Sequence, residues 1–385
     1  MKIIGVDFTS APRKSKPITV CVAERSQGIL RVSSLTELTS FQAFDVLLQQ
    51  QGPWIAGMDF PFAQSRILLK GLGWPLDWPD YVRRFAALSR NDFVALLEQY
   101  KSNRPAGDRE HRRKTDMLAR SISPQKLYGV PVAKMFYEGA TRLLRSGVNI
   151  PLLRPNDDPR VVIEAYPALV ARRFVGSRSY KNDRPAKQSA QQRGAREAIL
   201  NGVLTMKPHE DFELSVELPK RLHERLLDDP TADSLDALLC TLPAAWAWGH
   251  RGQGFGFPQD ADPTEGWIVD PSLHRPVEPT HNLFHDLPCA LPDEVTTLLA
   301  SAPGVRIERI LSRGQVSPEG FWYDQDEHEY VILLQGEAGL RIEGEVSDRH
   351  LRPGDALLLP AHCRHRVTYT PMDEDTVWLA VFYSA

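Results

Sequence analysis

Four aspartates of this 385-residue chain stand where they could act together. Asp7 ends one apolar run, "KIIGVD", and Asp59 ends another, "WIAGMD". Asp233 and Asp236 lie three apart in "TADSLDALLCTLPAAWAW", a spacing that puts both on one face of a helix. Carboxylates gathered together repel one another unless cations lie between them. Mg²⁺ or Mn²⁺ suits such an all-oxygen set, and two such ions can activate a water and steady the leaving oxygen of an in-line phosphoryl displacement. Read singly, each acid has a plainer use. Asp at a strand end commonly starts a turn, and Asp233 could cap a helix that opens near Thr231. Glu164, closing the strand-like part of "VVIEAYPA", is a fifth candidate, as a supporting or bridging carboxylate whose neighbourhood Tyr166-Pro167 would fix.

For these acids to meet, two strands must be neighbours and a helix must cross them. Strand-like runs at 2–7, 18–23 and 29–33 are close enough for a three-strand meander. An amphipathic stretch at 39–50 precedes a fourth run, 54–59, and a fifth lies at 161–165. Three strands, helix, strand, strand, helix is an RNase H-like α/β layout, here interrupted by a largely helical insertion over about 66–158. In that layout strands one and four are adjacent, which brings Asp7 and Asp59 side by side at their carboxyl ends.

Hydrophobic residues make up 42% and charged residues 25%, the balance of a water-soluble protein. No run is long enough to span a bilayer, and the N-terminus lacks a basic-then-apolar signal pattern. Four scattered cysteines, Cys21, Cys240, Cys289 and Cys363, form no CxxC pair and fit a reduced, cytoplasmic setting with no membrane partner. The net charge of −3 conceals an asymmetry: residues 281–385 hold 8 Lys and Arg against 17 Asp and Glu, while the first 280 hold 38 against 32. Only the first part is suited to face a polyanion such as DNA or RNA. There Arg112, Arg113 and Lys114 of "REHRRK", with Lys126, Lys134, Lys181 and Arg193, could contact a phosphate backbone. The competing use is a solvated face with local ion pairs to Asp108, Glu110 and Asp116.

"DSLDALLCTLPAA" resembles the last helix of RuvC-type junction resolvases, and Asp7 matches that superfamily's first-strand aspartate. "IGVDFTSAP", "GMDFPF", "RRKTD", "VIEAYPA", "LDAL" and "EGWIVDP" resemble the domain of unknown function 429 family, over about residues 1–271. That resemblance implies an RNase H-fold, divalent-metal-dependent nuclease, with Asp7, Asp59, Asp233 and Asp236 as metal ligands. It offers no secure role for Glu164 or Glu265. "GVDFTS" also looks like the first phosphate loop of actin-like and sugar-kinase ATPases. The other glycine-rich loops of those enzymes are missing, since "GQGFGF" at 252–257 follows the last helix.

From about residue 305 the texture changes to short strands broken by Gly, Pro and Asp, as in a small antiparallel barrel. Residues 320–336, "GFWYDQDEHEYVILLQG", and 354–365, "GDALLLPAHCRH", resemble the two cupin motifs. Glu329 and His365 occupy ligand slots, whereas Tyr323 and Gln325 stand in the two histidine slots of the first motif. Gln325, Glu329 and His365, with His362 or Glu327, are then the candidate ligands of a barrel metal. The missing imidazoles favour metal-free binding of a small ligand or a structural role over oxygenase chemistry. The expected organisation is an RNase H-like domain at 1–272, a linker at 273–290 and a cupin barrel at 291–385. A homodimer through the barrel is the expected way for such a domain to pair.

Overall fold

"KIIGVD" is apolar at every position but its ends, the mark of a strand covered on both faces. β1 (Lys2–Asp7) is such a strand, and its two faces feed two different cores. β2 (Ile18–Ser26) and β3 (Ile29–Leu38) continue as an antiparallel meander, α1 (Phe41–Leu48) follows, and β4 (Trp54–Asp59) returns parallel to β1. Next come α2 (Arg66–Gly71), α3 (Trp78–Ala86), α4 (Arg90–Ser102), α5 (Lys114–Leu118) and α6 (Val132–Ser146), before β5 (Arg160–Glu164) pairs parallel with β4. The chain continues through α7 (Pro167–Val175), α8 (Ala190–Thr205), β6 (Ser215–Glu217), α9 (Lys220–Asp228) and α10 (Asp233–Gly249). The sheet order is β5-β4-β1-β2-β3-β6.

Alternation along each strand sorts the side chains. Ile3 and Ile55 pack with α7, α8 and α10, while Ile4, Val6, Ala56 and Met58 pack with α1, α3 and α6. α10 is apolar on every side and buried along nearly its whole length, as a helix fully enclosed by its neighbours must be. Three local features differ from the sequence reading. β3 runs on to Leu38, β6 adds a three-residue edge, and the "GWIVDP" run forms only a bridge from Ile268 to Glu164.

The computed structural model describes all residues except 183, 208–210, 274–281, 286, 289, 303 and 385. The chain divides into two compact units, Met1–Pro276 and Val277–Ala385. The expected linker at 273–290, with Cys289, falls largely outside the described residues. The second unit begins with β7 (Val295–Ala302), which the sequence reading missed, and β8 (Val305–Ser312). β9 (His328–Gln335), β10 (Ala338–Ile342), β11 (Arg349–Leu351), β12 (Ala356–Leu359), β13 (His365–Tyr369) and β14 (Thr376–Tyr383) follow. They form antiparallel sheets of order β12-β9-β14-β8-β7 and β11-β10-β13, around Val331, Leu333, Leu340, Leu351, Leu359 and Trp378. Among the described residues, no helix is long and apolar enough to cross a membrane. Cys21, Cys240 and Cys363 are free thiols.

Candidate active site

Two glycines bring the four aspartates together. Gly5 pairs with Gly57 across β1 and β4, and two residues further Asp7 pairs with Asp59. Strand alternation places all four on the sheet face that carries α10. A methyl group at Gly5 would overlap the carbonyl oxygen of Ala237, and one at Gly57 that of Cys240. The backbone of α10 therefore rests on the strands with no side chain between, and its first turn delivers Asp233 and Asp236 beside the strand ends.

The helix start is capped by another residue. Asp229 accepts from the Ser234 amide at 3.0 Å and from the Thr231 amide and hydroxyl at 3.0 and 2.6 Å, so Asp233 is released from the capping role. Asp233 instead receives Lys16 Nζ at 3.0 and 3.2 Å. Asp236, fully buried, accepts the Tyr180 hydroxyl at 2.8 Å on one oxygen and the Lys181 ammonium on the other. Asp7, 8% exposed, and Asp59 carry no hydrogen-bond donor among the described residues.

The charges respond accordingly. Burial, reinforced by Asp233 and Asp236, raises the Asp7 carboxyl well above its usual range. Burial also pushes Asp59 up to about 7, with Lys181 opposing and Asp236 adding to the rise. Burial works against the charge on Lys181, but Asp236, Tyr180, Asp7 and Asp59 together hold its pKa well above the ordinary value. Among the described residues no three His, Cys, Asp or Glu side chains already stand at metal-binding spacing, and ammonium groups lie among the acids. The donor set still fits a divalent ion. It consists of carboxylate oxygens, the hard ligands that Mg²⁺ and Mn²⁺ prefer, and it already holds a cation at Asp236.

A folded-state pKa near 7 makes the ionised Asp59 a cost to the fold above pH 7, relieved as pH falls towards its unfolded value. Between pH 8 and 6 the chelator-treated protein should gain about 1.4 kcal/mol from this group. Thermal melts should rise over that interval, and Asp59→Asn should flatten the profile; a wild-type melt independent of pH would refute the assignment.

Glu164 does not join the cluster. It pairs with Met58 rather than Asp59, so alternation turns it to the opposite face of the sheet. There it accepts the Phe62 amide at 3.0 Å and two bonds from Arg113, at 2.5 and 2.8 Å. It thus braces Arg113, while also lining a cleft beside Asp59 and adding to the rise of the Asp59 carboxyl. The reading of Arg113 is corrected: the side chain is 1% exposed, clamped between Glu164 and Asp116, and out of reach of a nucleic-acid backbone. Glu265, left without a role by the sequence, accepts the amides of Arg66 and Lys114. Replacing Arg113 by Met leaves two buried carboxylates without a counter-charge and should cost about 3–5 kcal/mol, against about 1 or less for exposed Lys114. Denaturant melts of the two variants check this, and equal stabilities would refute it.

The remaining basic candidates divide. Arg112 is exposed, and Lys126 and Lys134 are half-buried, with Lys126 over the Tyr128 ring at 5.1 Å. Lys114 is paired with Asp260 and Arg193 with Asp228 at 3.0 Å. Lys181 belongs to the acid cluster and also lines the cleft beside Asp59. Lys16 and Tyr180 escaped the sequence reading, since a lone Lys or Tyr in a loop carries no local signal of its distant partner. The cleft, of about 240 Å³, opens beside Asp59 and Lys181, walled by Pro61, Ile122, Val130 and Tyr166.

In the second unit a pocket of about 180 Å³ is lined by Tyr323, Gln325, Glu329, His365 and Trp378 among others. Gln325 donates to Glu329 at 2.6 Å, and His365 Nε2 lies 3.6 Å from the same carboxylate oxygen. His365 Nδ1 faces the Cys363 carbonyl at 2.8 Å, which directs Nε2 into the pocket. Two other candidates fall elsewhere: Glu327 is drawn to Arg306, and His362 is exposed beside Asp324.

These features define an α/β protein with carboxylates gathered at strand ends, joined to an all-β domain of cupin type. The chain belongs to the family described as "Protein of unknown function (DUF429)", whose profile matches residues 5–263; residues 310–382 match the cupin domain. Similar solved structures align with part of this chain. A candidate mannose-6-phosphate isomerase from Ralstonia eutropha JMP134 is 52% identical over 28% of this chain and 100% of its own, with a TM-score of 0.27. A cupin superfamily protein from Desulfitobacterium hafniense DCB-2 is 19% identical over 26% and 84%, TM-score 0.22. An RmlC-like cupin from Methanocaldococcus jannaschii is 17% identical over 26% and 86%, TM-score 0.22. No curated protein matches the chain.

Proposed function

We propose that the first unit is an RNase H-like, divalent-metal-dependent nuclease that hydrolyses phosphodiester bonds of DNA or RNA. One observation carries the reading: Asp7 and Asp59 are paired in register at the ends of adjacent parallel strands, and Asp233 and Asp236 approach from the helix packed across them. The strand order, with β1 central and a β2–β3 meander to one side, supports the fold part of the reading.

Asp7, Asp59, Asp233 and Asp236 would hold Mg²⁺ or Mn²⁺. When bound, such an ion supplies Lewis-acid chemistry, lowering the pKa of water and stabilising a leaving oxygen. The chain's own residues orient the substrate. Lys181 presents an ammonium beside the acids, and Arg112, Lys126 and Lys134 offer charge for neighbouring phosphates. The test is cleavage of a panel of single-stranded, duplex and junction DNA and RNA with Mn²⁺. Cleavage of a panel member that stops on chelation supports the reading, and no cleavage of any member refutes it.

A second reading, hydrolysis of a small phosphorylated compound, draws on the cleft beside Asp59, and phosphate monoesters and nucleotides belong in the same panel. For the barrel we propose binding of a small ligand, on the strength of a pocket that combines apolar walls with Gln325, Glu329 and His365. Glu329 and His365, with Gln325, are the groups that would hold a metal there. Elemental analysis of the purified protein tests that part, and no metal above background would remove it.

A further inference from the structure

We infer that the acid cluster seats a single divalent cation between Asp7 and Asp59, and that the Lys181 ammonium permanently fills the role a second cation would have. This rests on the metal-dependent reading above and sharpens it.

The four aspartates are not equivalent. Both oxygens of Asp236 are taken by the chain itself, one by the Tyr180 hydroxyl and the other by Lys181. Asp233 is held by Lys16 through both oxygens. Asp7 and Asp59, side by side in strand register, have no donor among the described residues, and Asp7 is more than nine-tenths buried. Carboxylate oxygens that no protein donor holds are the ones free to take a cation, so this pair is where an added ion gains most. A second ion at Asp236 would have to displace an ammonium from a fully buried carboxylate. Lys181 also lines the cleft beside Asp59, so its charge faces the space where a substrate phosphate would approach. The sequence reading of a two-ion site thus becomes one ion and one lysine.

Mn²⁺ titration of the full chain by calorimetry tests this without reference to activity, in a His365→Ala background that removes the barrel's imidazole. The expected result is one equivalent for the otherwise wild-type chain and one for Lys181→Arg. Lys181→Met, which frees Asp236, should take two equivalents or bind the first at least tenfold more tightly. Circular dichroism confirms that each variant is folded, and the charge-conserving Arg variant keeps the comparison valid if Met perturbs the loop. Two equivalents in the unaltered site, or a Met variant with unchanged stoichiometry and affinity, would overturn the inference while leaving metal-dependent hydrolysis intact. No binding at all would overturn the metal-dependent reading itself.

Discussion

Asp7→Asn should lower metal-dependent cleavage by about 10³-fold, while the chelator-treated variant melts at a higher temperature than wild type. The two effects share a cause. Asp7 is buried without a donor, and burial with the nearby Asp233 and Asp236 holds its pKa well above the usual carboxylate range. A raised folded-state pKa means that ionisation opposes folding at neutral pH, so a neutral amide of the same shape removes that strain. The same change removes a ligand of the proposed ion, and losing several kcal/mol of transition-state stabilisation is a loss of about 10³ in rate. A site that weakens the fold in order to hold a cation is the usual trade between stability and activity. Single-turnover cleavage and thermal melts in chelator give both readouts. If Asp7→Asn cleaves as fast as wild type, Asp7 has no part in the chemistry.

Gly5→Ala should cost at least about 3 kcal/mol and abolish Mn²⁺ binding together with activity. The added methyl meets the carbonyl oxygen of Ala237, which belongs to the α10 backbone and cannot rotate away as a side-chain end would. Relief requires α10 to move off β1, carrying Asp233 and Asp236 away from Asp7 and Asp59. Gly194→Ala is the control: it lies exposed in α8, with open space around it, and should be neutral or stabilising by up to about 1 kcal/mol. Denaturant unfolding compares the two. Equal stability of both variants would show that helix and strand do not depend on that close approach.

The sequence by itself determined where β1 and β4 lie and which residues end them. The runs closing in Asp7 and Asp59 are continuous and apolar, and the three-residue spacing of Asp233 and Asp236 fixes a shared face on any helix. It also marked the second unit as a strand-rich barrel and singled out Glu329 and His365, which the pocket brings together. These are local properties, written in period and spacing.

Only the tertiary structure decided which acids work together. "RVVIE" is buried on both faces, so its sequence carries no alternation from which the direction of Glu164 could be read. Register against β4 settled it, by pairing Glu164 with Met58 and turning it towards Arg113. Arg113 likewise changed from a phosphate contact to an internal brace, because its partner Glu164 lies 51 residues away in sequence. Lys181 and Tyr180 reach Asp236 across 55 and 56 residues, and Lys16 reaches Asp233 across 217. Charge partners at such separations are chosen by how the elements pack, and a buried carboxylate takes whichever donor that packing brings within reach.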